Sequence, residues 1–236
     1  MKFYRTLQPF KVISFDLDDT LYDNTEVIRL AEQHCVDFLR HASQIDKLDL
    51  SYWLNWKIQI EQQNPIFCED VTAWRIATIR ALLQSHGKNA VEIERICQAT
   101  IHAFLIWRHK INVPQESIEV LNRLQSQYKL AALTNGNVAP ERIGLSQFEL
   151  TLCGGKNGRA KPHKDLFRLA ASYFNVLPWE ILHIGDNLIT DVQAAVQANC
   201  QAVWLNLSGK NLNHFSEATL LPTLEIKALS QLLEIS

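Results

Sequence analysis

Carboxylates recur at the ends of apolar runs in this 236-residue chain. Val12-Ile13-Ser14-Phe15 leads directly into Asp16-Leu17-Asp18-Asp19-Thr20, and Ile181-Leu182-His183-Ile184 leads into Gly185-Asp186, with Asp191 shortly after. Ionised carboxylates crowded at the end of a buried segment repel one another and lose hydration. Such a group calls for raised pKa values or a bound cation, and a divalent metal answers several charges at once. Asp16 and Asp18 stand two apart, so an extended backbone turns both to the same side. A third apolar run, Leu130-Ala131-Ala132-Leu133, ends in Thr134-Asn135-Gly136, and Lys161 before Pro162 supplies a cation between the second and third groups.

Together these residue types meet the demands of phosphoryl transfer. Asp16, Asp186 and the backbone carbonyl of Asp18 are hard oxygens of the kind magnesium takes, with positions left for water and a phosphate oxygen. The metal and Lys161 offset the charge on phosphate and carboxylates, without which an anionic nucleophile is repelled by an anionic target. Asp16 is then the candidate nucleophile, forming an aspartyl-phosphate. Asp18 is the candidate acid for the leaving alkoxide and base for the attacking water. The Thr134 hydroxyl, the Asn135 side-chain amide and neighbouring backbone N–H groups are candidate binders of the transferring oxygens. Asp191 either supports the metal site or caps the helix that follows it.

For residues more than a hundred positions apart to meet, their strands must lie side by side and point the same way. From Pro114 onward strands and helices alternate, which predicts an α/β fold with a doubly wound parallel sheet. The carboxyl ends of such strands share one edge, where ligands bind. Strands are predicted at 12–15, 130–133, 148–153, 181–184 and 202–205, and helices at 115–127, 163–174 and 192–197, with a short helix closing the tail. Residues 1–10 read as an edge strand or an arm. Residues 24–110 differ: they hold one proline, Pro65, and apolar residues at helical spacing. Val27, Leu30, Ala31, His34, Cys35, Phe38 and Leu39 trace one face of a helix that Asn24 or Thr25 would cap. Further helices are predicted at 50–63, 70–85 and 90–109. This all-helical block interrupts the sheet after its first strand, so the expected domains are 1–22 with 111–236, and 23–110.

Composition sets the outer bounds. Apolar content of 47%, charged content of 20% and a net charge of -2 describe an ordinary globular protein. With no basic block, charge favours neither nucleic acid nor an anionic membrane as a partner. The five cysteines are spread out with no Cys-x-x-Cys pair, as expected of reduced thiols rather than a disulfide framework or a zinc site. The first ten residues lack a signal sequence's apolar core, and the protein is expected in the cytoplasm.

In order and spacing, Asp16-x-Asp18-x-Thr20, Thr134-Asn135-Gly136, Lys161-Pro162 and Gly185-Asp186-x-x-x-x-Asp191 resemble the motifs of the haloacid dehalogenase superfamily. The resemblance spans essentially the whole chain, and the helical block matches that family's cap domain. It implies Asp16 as nucleophile, Asp18 as acid and base, Thr134 as the phosphate-binding hydroxyl and Lys161 as the cation that binds phosphate and orients the nucleophile. It further implies Asp186 as a magnesium ligand, with Asp191 in support. The stretches YRTLQP, FDLDDTLYDN, DVTAWR, LTNGN and HIGDNLITDV are similar to the bacterial YigB-type phosphatases, which act on flavin mononucleotide and on 5-amino-6-(5-phosphoribitylamino)uracil, a riboflavin precursor. The expectation is a magnesium-dependent phosphomonoesterase whose partner is a small-molecule phosphate ester. A phosphatase of another metabolite, a phosphomutase, and a non-catalytic binding or regulatory protein on the same fold stand beside it. Dehalogenation needs neither magnesium nor a second acid, so Asp18 and Asp186 speak against it.

Within the helical block, Trp74 and Arg75 are the pair expected to meet substrate, since an aromatic plane and a guanidinium suit a flavin or pyrimidine with a polar tail. His183 falls inside a buried-strand run and is read as structural.

Overall fold

The computed structural model describes residues 1–209 and 211–235. The chain divides into two compact units, Met1–Asp23 with Asn112–Ser236, and Asn24–Ile111. The first unit is built on a seven-stranded sheet: β1 (Lys2–Phe3), β2 (Val12–Phe15), β3 (Lys129–Thr134), β4 (Leu150–Cys153), β5 (Ile181–Gly185), β6 (Gln201–Leu205) and β7 (Leu224–Ile226). Their order across the sheet is β1-β7-β6-β5-β2-β3-β4, parallel throughout except for the antiparallel pair of β1 and β7. β2, β5 and β6 are buried along their whole length, which explains why their residues are apolar apart from Ser14, His183 and Gln201. Each fully buried Val, Ile or Phe side chain there contributes about 1.5–3 kcal/mol.

Helices α5 (Gln115–Leu124), α6 (Asp165–Phe174) and α7 (Ala194–Gln197) belong to this unit. Leu166, Phe167 and Ala170 of α6 join Val12, Leu133, Ile181 and Trp204 in one apolar cluster. α7 is preceded by a π-helical turn, Leu188–Gln193, that carries Asp191, so the predicted helix over 192–197 begins earlier and wider than periodicity suggested.

The second unit contains α1 (Thr25–Ser43), α2 (Leu50–Gln63), α3 (Val71–Ser85) and α4 (Ala90–Arg108). Val36, Leu39, Trp53, Ile79, Leu82, Leu83 and Ile96 form its core. Asp49 caps α2 through the Tyr52 N–H, Asp70 caps α3 through the N–H groups of Thr72 and Ala73, and Asn89 with Glu92 forms a capping box on α4. The expected cap on α1 differs: Asn24 occupies the position without a capping bond, because its Oδ1 accepts from Arg108 Nη1 at 2.8 Å. The inner face of α1 is also turned, with Val36 buried and Phe38 at 38% exposure.

Candidate active site

Register brings the polar groups to one level. Phe15 pairs with Ala132 on one side and Ile184 on the other, so Asp16, Thr134 and Asp186 leave three adjacent parallel strands within one or two residues of a common line. Five of the residues expected at the site, Asp16, Asp18, Thr134, Asn135 and Lys161, line a cavity of about 90 Å³ with Gly136 and Thr190.

Lys161, 3% exposed, is the hub. Its Nζ donates to Asp16 Oδ1 at 2.8 Å and to Asp191 Oδ1 at 2.6 Å. Asp191 Oδ2 accepts the Asn187 N–H at 3.0 Å, so both oxygens of Asp191 are committed to the protein. Asp191 therefore holds Lys161, and the capping role once open to it falls to Asn187, whose Oδ1 accepts from Ile189 N–H and Thr190 N–H. Asp18 Oδ1 accepts the Tyr22 hydroxyl at 2.8 Å. Thr20 Oγ1 accepts the Asp186 N–H at 3.2 Å and donates to Asp186 Oδ1 at 3.3 Å, and Trp204 Nε1 donates to the Asp186 carbonyl at 2.8 Å, so both the backbone and one carboxylate oxygen of Asp186 are held.

Two glycines permit this crowding. A Cβ at Gly185 would lie 2.3 Å from Asp191 Cγ, and one at Gly154 would lie 2.9 Å from Asn135 Oδ1. Neither position has room for a side chain.

The electrostatics calls for added positive charge. Burial, with Asp191 and Asp18 adding to it against the pull of Lys161, pushes Asp16 up to about 8. Burial and the carboxylates of Asp191 and Asp19 push Asp186 up to about 6. Burial opposes the charge on Lys161, but Asp16 and Asp191 outweigh it and raise its pKa. Burial would likewise raise Asp191, yet Lys161 and His183 overcome this and hold it well below the carboxylate range. Carboxylate oxygens of Asp16, Asp186 and Asp191 lie within 4.8 Å of one another. A cluster of hard oxygens that binds protons too tightly for want of cation fits a magnesium ion, and Asp16 and Asp186 are its candidate ligands because Lys161 and the Asn187 N–H take both oxygens of Asp191.

Asn135, which lines the cavity, also clamps the lysine's backbone: Nδ2 donates to the Lys161 carbonyl at 2.7 Å and Oδ1 accepts the Lys161 N–H at 2.8 Å, which leaves the second N–H of the amide for another acceptor. One expectation is corrected: Arg75, and with it the indole N–H of Trp74, is engaged inside the helical unit. Arg75, 4% exposed, pairs with Glu32 and lies 3.6 Å above the Phe104 ring. Trp74 Nε1 donates to the Lys57 carbonyl at 3.1 Å, with the Lys57 ammonium 4.4 Å from its ring centroid. Burial alone would raise Glu32, but Arg75 and Lys57 outweigh it and hold the carboxylate below its usual range. A half-buried Glu32 needs both cations, and that need claims Arg75.

Sequence reasoning missed the parts played by Tyr22, Trp204, Thr190 and Ser14. Tyr22, four residues after Asp18 in the motif, was within reach of local reading. Trp204 and Ser14 carried no signal, because their partners are set by strand order. His183 is fully buried and lies beside Asp191, and burial holds it down at about 4, hence neutral.

Residues 10–199 match the family model described as haloacid dehalogenase-like hydrolase. The 5-amino-6-(5-phospho-D-ribitylamino)uracil phosphatase YigB of Escherichia coli K12 is 37% identical, covering 98% of both chains. The glyceraldehyde 3-phosphate phosphatase of Pyrococcus abyssi is 27% identical over 95% of this chain and 93% of its own. The crystal structure of a protein named 2-haloacid dehalogenase, from Pseudomonas syringae pv. Tomato, superposes with a TM-score of 0.88 at 30% identity, covering 96% of this chain and 97% of the other.

Proposed function

The chain belongs to the haloacid dehalogenase-like hydrolases, and from that premise we propose that it is a magnesium-dependent phosphatase of 5-amino-6-(5-phospho-D-ribitylamino)uracil working through an aspartyl-phosphate on Asp16. That it is a phosphoric monoester hydrolase agrees with the phosphatases among its relatives. The observation that carries the mechanism is the bond from Lys161 to one oxygen of Asp16 beside a small cavity that Asp18 also lines.

Lys161 takes Asp16 Oδ1 and so leaves Oδ2 as the attacking oxygen. Asp18, held by Tyr22, protonates the departing alkoxide and then removes a proton from the water that cleaves the aspartyl-phosphate. The Thr134 hydroxyl, which accepts the Gly136 N–H at 2.9 Å, has its own proton left for a phosphate oxygen. Magnesium, held by Asp16, Asp186 and the Asp18 carbonyl, would neutralise charge on the transferring phosphoryl group. Flavin mononucleotide carries the same ribityl phosphate and is included in the proposal. Dehalogenation, the activity for which the similar Pseudomonas syringae protein is named, would leave Asp18 without a task, since a halide departs without a proton.

The test is phosphate release from the ribitylaminouracil ester, flavin mononucleotide, nucleotides and sugar phosphates, with and without magnesium. The expected result is metal-dependent release, greatest for the ribityl phosphates and abolished by Asp16→Asn. Release of halide from a 2-haloacid with no phosphate release from any ester would overturn it.

A further inference from the structure

Ser14 and His183 are register partners on the adjacent parallel strands β2 and β5, and both are buried. They sit directly behind the lysine and carboxylates just described. Flanking residues Ile13, Phe15, Leu182 and Ile184 are apolar and fully or almost fully buried, so a position that served packing alone would carry the same chemistry. A hydroxyl and an imidazole cost desolvation there unless each meets a partner.

The two meet each other and then Asp191. Ser14 Oγ lies 2.9 Å from His183 Nδ1, the Phe167 ring meets the imidazole edge to face at 4.9 Å, and His183 Nε2 lies 3.6 Å from Asp191 Oδ1. Nε2 is buried, and no hydrogen-bond partner closer than that carboxylate serves it among the described residues. A neutral imidazole has one N–H and one lone pair. Turning the lone pair of Nε2 towards a buried carboxylate would be repulsive, so the proton belongs on Nε2 and Nδ1 accepts from the serine hydroxyl. The line then runs Ser14 O–H to His183 Nδ1, His183 Nε2–H towards Asp191 Oδ1, and Lys161 from Asp191 to Asp16.

We propose that His183 is a positioning residue for phosphoryl transfer: its Nε2–H, set in place by Ser14, fixes the Asp191 carboxylate that holds Lys161 against the nucleophile. It rests on the phosphatase reading above. Among the described residues, Asp191 is otherwise anchored by the Asn187 N–H on its second oxygen and by the lysine it must orient. Without His183 the carboxylate can rotate about that single backbone anchor, and Lys161 loses the fixed counter-charge that sets its direction towards Asp16. Lys161 keeps its charge beside the cavity and can still pair with phosphate, so substrate affinity should change less than kcat.

Two measurements on the full chain test this. In ¹⁵N-histidine spectra of the wild type, with and without magnesium, His183 is expected as the Nε2–H tautomer with Nδ1 unprotonated; the Nδ1–H tautomer would overturn the proposal. In kinetics, His183→Val should lower kcat by about 10–100-fold with KM changed less than about threefold, the cost usual for groups that orient a site from behind. His183→Gln, whose amide can donate to Asp191 from nearly the same place, should recover most of that loss. A valine variant with wild-type kcat, or a glutamine variant as impaired as valine, would overturn it. If the wild type itself releases no phosphate, the phosphatase reading fails and the tautomer alone decides this inference.

Discussion

Asp16 and Asp186 hold protons well above the ordinary carboxylate range, at about 8 and about 6 against a starting value of 3.8. In the metal-free protein the unfolded chain ionises first as pH rises, so the folded state loses stability progressively between the ordinary carboxylate range and those raised values. A cation that pairs with the ionised carboxylates reverses this. The increase in melting temperature on adding magnesium should therefore be small at pH 5 and grow towards pH 8; an increase independent of pH, or larger at pH 5, would contradict it. The same residues were the most legible ones in the sequence, because an acid at the end of an apolar run is an anomaly that packing does not explain. Asn135 was only half legible. Its place beside Thr134 could be read, but its partner is the backbone of Lys161, and which loop comes alongside is fixed only by the folded sheet.

At the scale of elements, β2, β3 and β5 deliver the proposed nucleophile, the threonine and the second carboxylate because parallel strands in this order end at one edge. Their apolar runs predicted them well. β7 was not predicted: three residues carry too little pattern, and it is held by its pairing with β6 and β1. The face of α1 was misjudged near Phe38 because helical spacing names a stripe without saying which edge of it the neighbouring helices cover. The turn after β5 depends on Gly185, where a methyl group would overlap Asp191 Cγ at 2.3 Å. Gly185→Ala should reduce kcat by at least about tenfold by displacing Asp191, with the far-ultraviolet circular dichroism unchanged. Full activity in that variant would mean that Asp191 does not need its observed place.

Across the whole molecule, the α/β unit carries every group to which the proposed chemistry assigns a step. The helical unit spends its most conspicuous charges on itself: Glu32 is bonded by Trp53, Lys57 and Arg75. The sequence marked Arg75 for substrate because a guanidinium beside a tryptophan suits a heterocycle, and nothing local to DVTAWR announces a glutamate 43 residues earlier. Motifs whose meaning lies in their own residues were readable, and pairings across long separations were not. The most direct test of the account is capture of beryllofluoride, an aspartyl-phosphate mimic, followed by ¹⁹F spectroscopy. The wild type and Asp18→Asn should both form a magnesium-dependent complex, since the role proposed for Asp18 is on the leaving group and the water, whereas Asp16→Asn should form none. A complex that survives Asp16→Asn, or none in the wild type with magnesium, would contradict Asp16 as the nucleophile.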